Sequence, residues 1–246
     1  MRSRIFCLLA LILCPMARAD FVVAPNGYES VAGNVNNRFP LNTRGMRYQQ
    51  VFNANQFSTF TVPTYLNQIA FRNAIDSPGT WAGLIADLRI SLSTTAAYAD
   101  GLSSTFASNV GADATQVVSG TVSWVVSNNP GPGNTKAFDL VINFGREFLY
   151  DPTQGNLLLD ITNVSGTSPF NIANFLDAVD VTGDGTSRVF GPDRQPNATT
   201  GEIDSQGLIV RFGTGRVVPE PATVAMLGLG LAAVAGITVN RRMRGR

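Results

Sequence analysis

Histidine is absent from the 246-residue sequence, and cysteine occurs only twice, at Cys7 and Cys14. Both cysteines fall in an N-terminal segment that we expect to be removed, so the mature chain has neither a thiol nor an imidazole. Serine–histidine and cysteine–histidine nucleophilic sites need such groups and are excluded. Zinc sites use mainly histidine nitrogen and cysteine sulfur, and they are not expected either. Without disulfides, the chain has to be stabilised by its core.

Positive charge is also scarce between residues 20 and 218, the segment that we call the body. The body contains 11 basic and 16 acidic residues, which is a net charge of −5, and its single lysine is Lys136. The other basic residues lie near the two ends of the chain. Because no basic run occurs in the body, nucleic acid is not expected as a partner.

The first 19 residues have the organisation of a secretory signal peptide. Two arginines precede a short apolar stretch at 5–13, which is too short to span a membrane. The small residues that signal peptidase requires before its cleavage site are Ala17 and Ala19. We therefore expect residues 1–19 to be removed and the mature chain to begin at Asp20.

The last residues of the chain combine three features in order. The motif Pro219-Glu220-Pro221 comes first, an uncharged apolar stretch covers 222–239, and an arginine-rich tail covers 240–246. A transmembrane helix over the apolar stretch would be about 27 Å long, just enough to cross the hydrocarbon core of a bilayer. The arginines would keep the C-terminus in the cytoplasm and the body on the other side. Taken alone, the stretch is also compatible with an ordinary membrane anchor.

Together, the three features resemble the PEP-CTERM sorting signal of Gram-negative bacteria, here at 216–246. The resemblance implies that exosortase, a membrane-embedded enzyme, recognises the signal and cuts the chain near Pro219-Glu220-Pro221. It also implies that the protein stays in the envelope membrane before processing and then reaches the cell surface or the extracellular matrix. Such proteins are commonly associated with exopolysaccharide and biofilm. The expected partners are therefore exosortase, signal peptidase and exopolysaccharide.

Short alternating apolar segments separated by turns run through the body and predict antiparallel strands. The clearest alternation lies at 86–93, where Leu88, Ile90 and Leu92 share one face. We therefore predict a mostly β domain over 20–215, an antiparallel β-sandwich of the jelly-roll type.

Three further segments carry weaker patterns. Aromatic and β-branched residues predict a strand at 57–62, and an apolar run predicts a closing strand at 207–212. The small residues at 213–216 predict a flexible joint between the domain and the sorting signal.

One acidic turn carries the start of a calcium-loop pattern. Asp180, Thr182 and Asp184 place oxygen ligands at positions 1, 3 and 5, and a glycine follows at position 6. Position 12 would be Gly191 instead of the bidentate glutamate, so the match stops there. The alternative is a simple Gly/Asp turn between strands. No cofactor is expected.

Two kinds of side chain could bind or act on sugars. Exposed rings stack on sugar faces, and Trp81, Tyr98 and Tyr48 are the candidates, although a lone aromatic residue is more often part of a core. Glycoside hydrolysis needs two paired carboxylates, and nothing in the sequence pairs any two. The carboxylates considered are Glu29, Glu147, Asp151, Asp160 and Glu202.

These observations favour a non-enzymatic protein with a structural or adhesive role in the extracellular polysaccharide matrix. The alternatives are a carbohydrate-binding module of the same fold and, with less support, a glycoside-acting enzyme. The sequence indicates a route of export and a class of fold, and it indicates no reaction.

Overall fold

The computed structural model describes residues 21–217, which form 14 strands and two short 3₁₀-helices, Ala54–Phe57 and Phe106–Asn109. The first seven strands are β1 (Phe21–Ala24), β2 (Val35–Asn37), β3 (Met46–Phe52), β4 (Thr64–Phe71), β5 (Trp81–Thr95), β6 (Thr115–Val126) and β7 (Leu140–Tyr150). The last seven strands are β8 (Asn156–Asn163), β9 (Thr167–Ser168), β10 (Leu176–Asp180), β11 (Thr186–Phe190), β12 (Glu202–Asp204), β13 (Gln206–Leu208) and β14 (Val210–Val217).

The strands form three sheets, and the paired strands run antiparallel in each of them. The first sheet has the order β1-β14-β4-β7 and the second has the order β13-β10-β2. The third and largest has the order β12-β11-β3-β8-β5-β6, with the short strand β9 added beside β5. The prediction of a mostly antiparallel β body is therefore confirmed, whereas the jelly-roll arrangement stays a prediction.

Alternation along β5 places its apolar side chains in the core. Leu88, Ile90 and Leu92 are fully buried, while Arg89 between them is exposed. Side chains of a strand alternate between the two faces of a sheet, so this pattern buries one face and leaves the other to solvent or to loops. The prediction at 86–93 is confirmed, and the strand extends beyond it in both directions.

The main core lies between the first and the third sheet. Phe52 of β3 meets Phe212 of β14 with ring centroids 5.1 Å apart and the rings perpendicular. Phe57 contacts Phe212 at 5.4 Å and Tyr150 of β7 at 5.0 Å. Burying each such side chain contributes about 1.5–3 kcal/mol, so these aromatic contacts hold the two sheets face to face.

The strand predicted at 57–62 is wrong, because this segment begins inside a 3₁₀-helix and continues as a turn. The amide of Phe60 donates a hydrogen bond to the carbonyl of Phe57 at 2.9 Å, and the two rings lie 5.6 Å apart. Residues three apart are superposed in a 3₁₀-turn, so both rings point the same way. The tight turn that brings Phe57 and Phe60 to the same side therefore prevails over the β propensity of the segment.

The strand predicted at 207–212 is confirmed except at Ile209, where the chain changes from one sheet to another and the strand is interrupted. Leu208 pairs with β10 in the second sheet, and Val210 pairs with β1 in the first. The flexible joint predicted at 213–216 is wrong. These residues belong to β14, and Gly213 pairs with Gln68 of β4. A Cβ at Gly213 would lie 3.0 Å from the Cβ of Gln68, so the glycine serves close strand contact rather than flexibility.

Residues 21–217 contain no helix that is both long enough and apolar enough to cross a membrane. The predicted signal peptide at 1–19, the predicted transmembrane stretch at 222–239 and the tail at 240–246 lie outside the described residues.

Candidate functional site

The predicted processing residues lie outside the part of the chain that the structure describes. They are Ala17, Ala19, Pro219, Glu220 and Pro221. The strands that lead to them are neighbours, since Phe21 at the start of β1 pairs with Gly213 of β14. β14 ends at Val217, only two residues before the proline motif. Both processing segments therefore leave the body from adjacent strands of one sheet.

The predicted calcium residues lie on the connection from β10 to β11. Asp180 Oδ1 accepts a hydrogen bond from Ser205 Oγ at 2.6 Å. Asp184 Oδ1 accepts from the amide of Thr186 at 2.8 Å, while Thr182 is exposed. The Asp184 bond is typical of an Asx-type turn, in which a carboxylate oxygen accepts a hydrogen bond from the backbone amide two residues later.

A second feature of this turn concerns the charge of Asp184. Burial raises the pKa of the Asp184 carboxyl, and the neighbouring carboxylates of Asp100 and Asp180 add to the shift. Its Oδ2 atom is buried and has no hydrogen-bond partner. Within residues 21–217, no group of three or more histidine, cysteine, aspartate or glutamate side chains is placed to hold a metal ion. The calcium site stays a prediction.

Two of the three candidate sugar-stacking rings are core residues. Trp81 is 7% exposed and donates from Nε1 to Asn73 Oδ1, and Tyr48 is fully buried. Burial raises the pKa of Tyr48, so its hydroxyl stays protonated and donates to Gln50 Oε1 at 2.7 Å. Tyr98 is different, because 60% of it is exposed. Of the three rings, only Tyr98 is accessible to a sugar.

The carboxylate candidates for hydrolysis are spread over the fold. Asp160 forms an ion pair with Arg47 at 2.7 Å, and Asp151 accepts from the amide of Thr153 at 3.0 Å. The other three lie in separate elements, namely Glu29 in the loop after β1, Glu147 in β7 and Glu202 in β12. Asp160 and Asp151 are thus used to hold a strand pair and a turn.

Six residues from distant parts of the chain form a continuous group of guanidinium groups and aromatic rings. We call this group the arginine–phenylalanine cluster, and its members are Arg38, Phe39, Arg44, Phe170, Arg188 and Phe190. At its inner end, the rings of Phe39 and Phe190 lie 5.2 Å apart. The Cζ atom of Arg188 lies 4.6 Å from the ring centre of Phe190 and 5.7 Å from that of Phe39.

The outer end of the cluster is organised around Phe170. The Cζ of Arg44 lies 4.6 Å from its ring centre, and the Cζ of Arg38 lies 6.0 Å from it. Arg38 also lies 5.7 Å from the ring centre of Phe39, so it links the two ends. Guanidinium groups at these distances from a ring are attracted by its electron-rich face.

The two ends differ in burial and in pairing. Arg188 is 6% exposed in its side chain and forms a two-pronged ion pair with Asp204, with both N–O distances at 2.7 Å. Its remaining Nη1 atom is buried and has no partner. Arg44 is exposed and Arg38 is half-buried. Arg188 therefore anchors the cluster in the fold, and the outer arginines face solvent.

A buried polar network holds the two loops that carry the outer end. Asn163 Nδ2 donates to the carbonyl of Pro40 at 3.1 Å, and the amide of Thr167 donates to the carbonyl of Thr43 at 2.8 Å. Asn42 Nδ2 donates to the carbonyl of Asn174 at 2.9 Å. Leaving such a buried group unpaired costs about 1–3 kcal/mol, so the network fixes the loops relative to each other.

The outer arginines lack the carboxylate partners that other arginines of the body have. Among residues 21–215, whose side chains the structure describes, Arg47, Arg72, Arg89 and Arg188 form ion pairs. Neither Arg38 nor Arg44 does so in this part of the chain. The nearby Asp193 accepts instead from the backbone amide of Arg44, at 2.9 Å. The cluster thus presents two uncompensated positive charges on a body of net charge −5.

No local signal in the sequence marks this cluster. Its members come from positions between 38 and 190, and they meet only because the loop before β3 and the loop after β9 converge on strand β11. Isolated Arg and Phe residues are common in any β protein, so neither the composition nor the spacing separates them from others.

The complete organisation is that of an exported, sorted protein: an antiparallel β body whose last strand runs directly into a proline motif, an apolar stretch and an arginine-rich end. The family model described as the PEP-CTERM protein-sorting motif matches residues 217–242. The chain therefore contains a PEP-CTERM sorting motif, and this motif implies an exported protein that exosortase processes at the cell envelope. Searches of curated proteins and of solved structures found no match.

Proposed function

We propose that this protein is a non-enzymatic structural or adhesive component of the extracellular polysaccharide and biofilm matrix. The observation that carries the proposal is the sorting motif at 217–242, which begins at the last residue of the closing strand β14. Such a junction leaves no further domain between the β body and the signal. The body is therefore the part that is delivered.

The proposed route uses both ends of the chain. Signal peptidase removes residues 1–19 after Ala19, and the stretch at 222–239 then spans the membrane once with its C-terminus in the cytoplasm. Exosortase cuts near Pro219-Glu220-Pro221, and the jelly-roll-like body reaches the cell surface or the matrix.

The pairing of charged groups supports a structural role. The buried or half-buried carboxylates of Asp160, Asp177 and Asp204 are each held by an arginine. A carboxylate used as a general acid or base needs a shifted and accessible proton instead. These ion pairs stabilise strand contacts and loops, which is a structural use of the three carboxylates.

Intact-mass analysis of the envelope-bound and released protein tests the route. We expect a mature chain that begins at Asp20 and has lost the residues beyond the proline motif. Replacing Pro219, Glu220 and Pro221 by alanine should leave full-length protein in the membrane, because the cleavage signal is lost. As a control, alanine replacements of the exposed turn prolines Pro130 and Pro132 should be processed normally. Released protein that retains the arginine tail would refute the proposal.

A carbohydrate-binding module is the second candidate, and the exposed ring of Tyr98 favours it. A glycan array probed with the full-length chain separates the two, since a purely structural protein would bind no defined sugar. A Tyr98→Ala variant should lose sugar binding if this ring is the platform. Release of reducing ends from a polysaccharide would instead support the less favoured glycoside-acting enzyme.

A further inference from the structure

We propose that the arginine–phenylalanine cluster binds an acidic polysaccharide, a sugar chain that carries carboxylate groups. This inference rests on the proposed function, because a protein of the extracellular matrix is exposed to such polymers. Three observations support it: guanidinium groups without an ion-pair partner in the described residues, partly buried rings and an adjoining depression in the surface.

The guanidinium groups of Arg38 and Arg44 supply the recognition of carboxylate. A guanidinium that lies over a ring keeps its N–H donors at its edge, in a fork that matches the two oxygens of a carboxylate. Within residues 21–217 neither group is occupied by an acidic side chain, although the body carries more acidic than basic residues. A local positive site on an acidic protein favours a charged ligand over a neutral one.

The rings supply the contact with the sugar itself. Phe39, Phe170 and Phe190 are each partly buried residues that lie beside a guanidinium group, at the border between the core and the surface. The faces of sugar rings carry C–H groups that pack on aromatic surfaces. Guanidinium groups and phenylalanine rings alternate along the cluster. They therefore match a polymer in which carboxylate groups alternate with apolar sugar faces.

A depression of about 310 Å³ continues the cluster beyond Phe190. It is lined by Phe190, Gly191, Pro192, Thr200, Gly201 and Glu202. The hydroxyl of Thr200 and the carboxylate of Glu202 can accept or exchange hydrogen bonds with sugar hydroxyl groups. The negative charge of Glu202 would disfavour a second carboxylate in the depression, so a hydroxyl-rich part of the chain fits there.

The carboxylates near the cluster favour one of two possible anionic ligands, an acidic polysaccharide or a nucleic acid. Asp193 accepts a hydrogen bond from the backbone amide of Arg44, and Glu202 lies at the other end of the cluster. A nucleic acid carries a phosphate on every nucleotide and binds through many simultaneous cation contacts. Two uncompensated arginines between two carboxylates suit a sparser pattern of negative charge, and we therefore favour the acidic polysaccharide.

The test measures binding of the full-length chain in detergent to polygalacturonate, with dextran as the neutral polysaccharide. We expect binding to polygalacturonate that weakens as salt is raised, and no comparable binding to dextran. The double variant Arg38→Ala/Arg44→Ala should bind at least about tenfold more weakly, because it loses two charge-assisted contacts. Phe170→Leu keeps an apolar side chain but loses the flat face, and it should bind about two- to tenfold more weakly.

Arg146→Ala is the matched control, because it also removes an exposed arginine, from β7 in the other large sheet. It should bind like the unaltered protein. Thermal melting of all variants establishes that they fold. Should the double variant fail to fold, the exposed Arg44 alone can be replaced by alanine with a smaller expected loss.

Three results would overturn the inference. They are unchanged binding by the folded arginine variants, dextran binding as tight as polygalacturonate binding, and tighter binding of a single-stranded DNA oligonucleotide. Because the measurement uses purified protein, it does not depend on processing. Binding without normal processing would refute only the proposed function, and normal processing without binding would refute only the acidic-polysaccharide site.

Discussion

Several arginines of this body stack on phenylalanine rings, and two of them, Arg72 and Arg44, differ in whether an acidic side chain completes the site. Arg72 is fully buried, with its Cζ 4.9 Å from the ring centre of Phe138 and its Nε 2.8 Å from Asp177. Arg44 lies over Phe170 in a similar way, at 4.6 Å, but it is exposed and has no acidic partner there. The same side-chain pairing therefore serves stability in one place and leaves donors free in the other.

The buried site around Arg72 shows which partners an arginine side chain needs when it is shielded from solvent. Arg72 Nη2 donates to the carbonyl of Val31 at 2.7 Å, and Asp177 accepts a further bond from the amide of Gly33 at 2.9 Å. Burial raises the pKa of Asp177, and the charge of Arg72 opposes this shift. A buried ion pair of this kind stabilises the fold only while both partners are present.

The largest expected difference in stability comes from replacing arginine by methionine at each of the two sites in turn. Arg72→Met keeps most of the side-chain volume but leaves Asp177 buried without its partner, so we expect a loss of about 3–5 kcal/mol in the free energy of unfolding. Arg44→Met should change it by less than about 0.5 kcal/mol, because this side chain is exposed. Urea denaturation measures both, and equal losses would contradict the distinction between the sites.

The second-largest effect on stability concerns the buried polar network that supports the exposed site around Arg44. Asn163→Ala removes a buried amide that bonds to Pro40, and we expect a loss of about 1–3 kcal/mol in stability. Binding to polygalacturonate should weaken too, because the loops that carry Arg38 and Phe170 lose their fixed arrangement. The control Asn143→Ala removes an exposed amide partner of Gln68 and should alter neither property. Loss of stability with full binding would show that the loops are held by other contacts.

The smallest effect concerns Asp184, a carboxylate that no arginine pairs with in residues 21–217. Its raised pKa means that the folded state holds a proton more readily than the unfolded state. The stabilisation that comes from holding this proton is fully present below the pKa that Asp184 has in the unfolded state. It is lost as the pH rises through the pKa that Asp184 has in the folded state. Asp184→Asn should therefore be the more stable form at pH about 7, by less than about 1 kcal/mol since the group is partly solvated, with no advantage at pH about 3.

Thermal melting at both pH values checks this prediction, and an advantage that does not depend on pH would contradict it. Repeating the melts with millimolar calcium tests the predicted metal site. Stabilisation by calcium in the unaltered protein, absent from Asp184→Asn, would establish Asp184 as a ligand. No shift in either form would leave Asp180, Thr182 and Asp184 as a simple turn.

Strands with a regular alternation were predictable, because the burial of every second residue is a local property of the chain. Leu88, Ile90 and Leu92 on β5 are the clearest case. The prediction was wrong where a tertiary contact competes with local propensity. Phe57 enters the core between Phe212 and Tyr150, so its segment turns tightly instead of extending. The change of sheet at Ile209 could not be predicted either, since an apolar run does not say which strand each residue pairs with.

The sequence by itself determined the sorting signal and the inward faces of the long strands, because both depend on the order of neighbouring residues. Only the tertiary structure decided which arginine side chains have an acidic partner. Arg44 and Arg72 are chemically identical, and no nearby residue in the sequence distinguishes them. Strand pairing brings Asp177 to Arg72, whereas the convergence of loops gives Arg44 only the ring of Phe170. Partners more than a hundred residues apart are chosen by the register of the sheets, and this choice is what leaves one site free to bind.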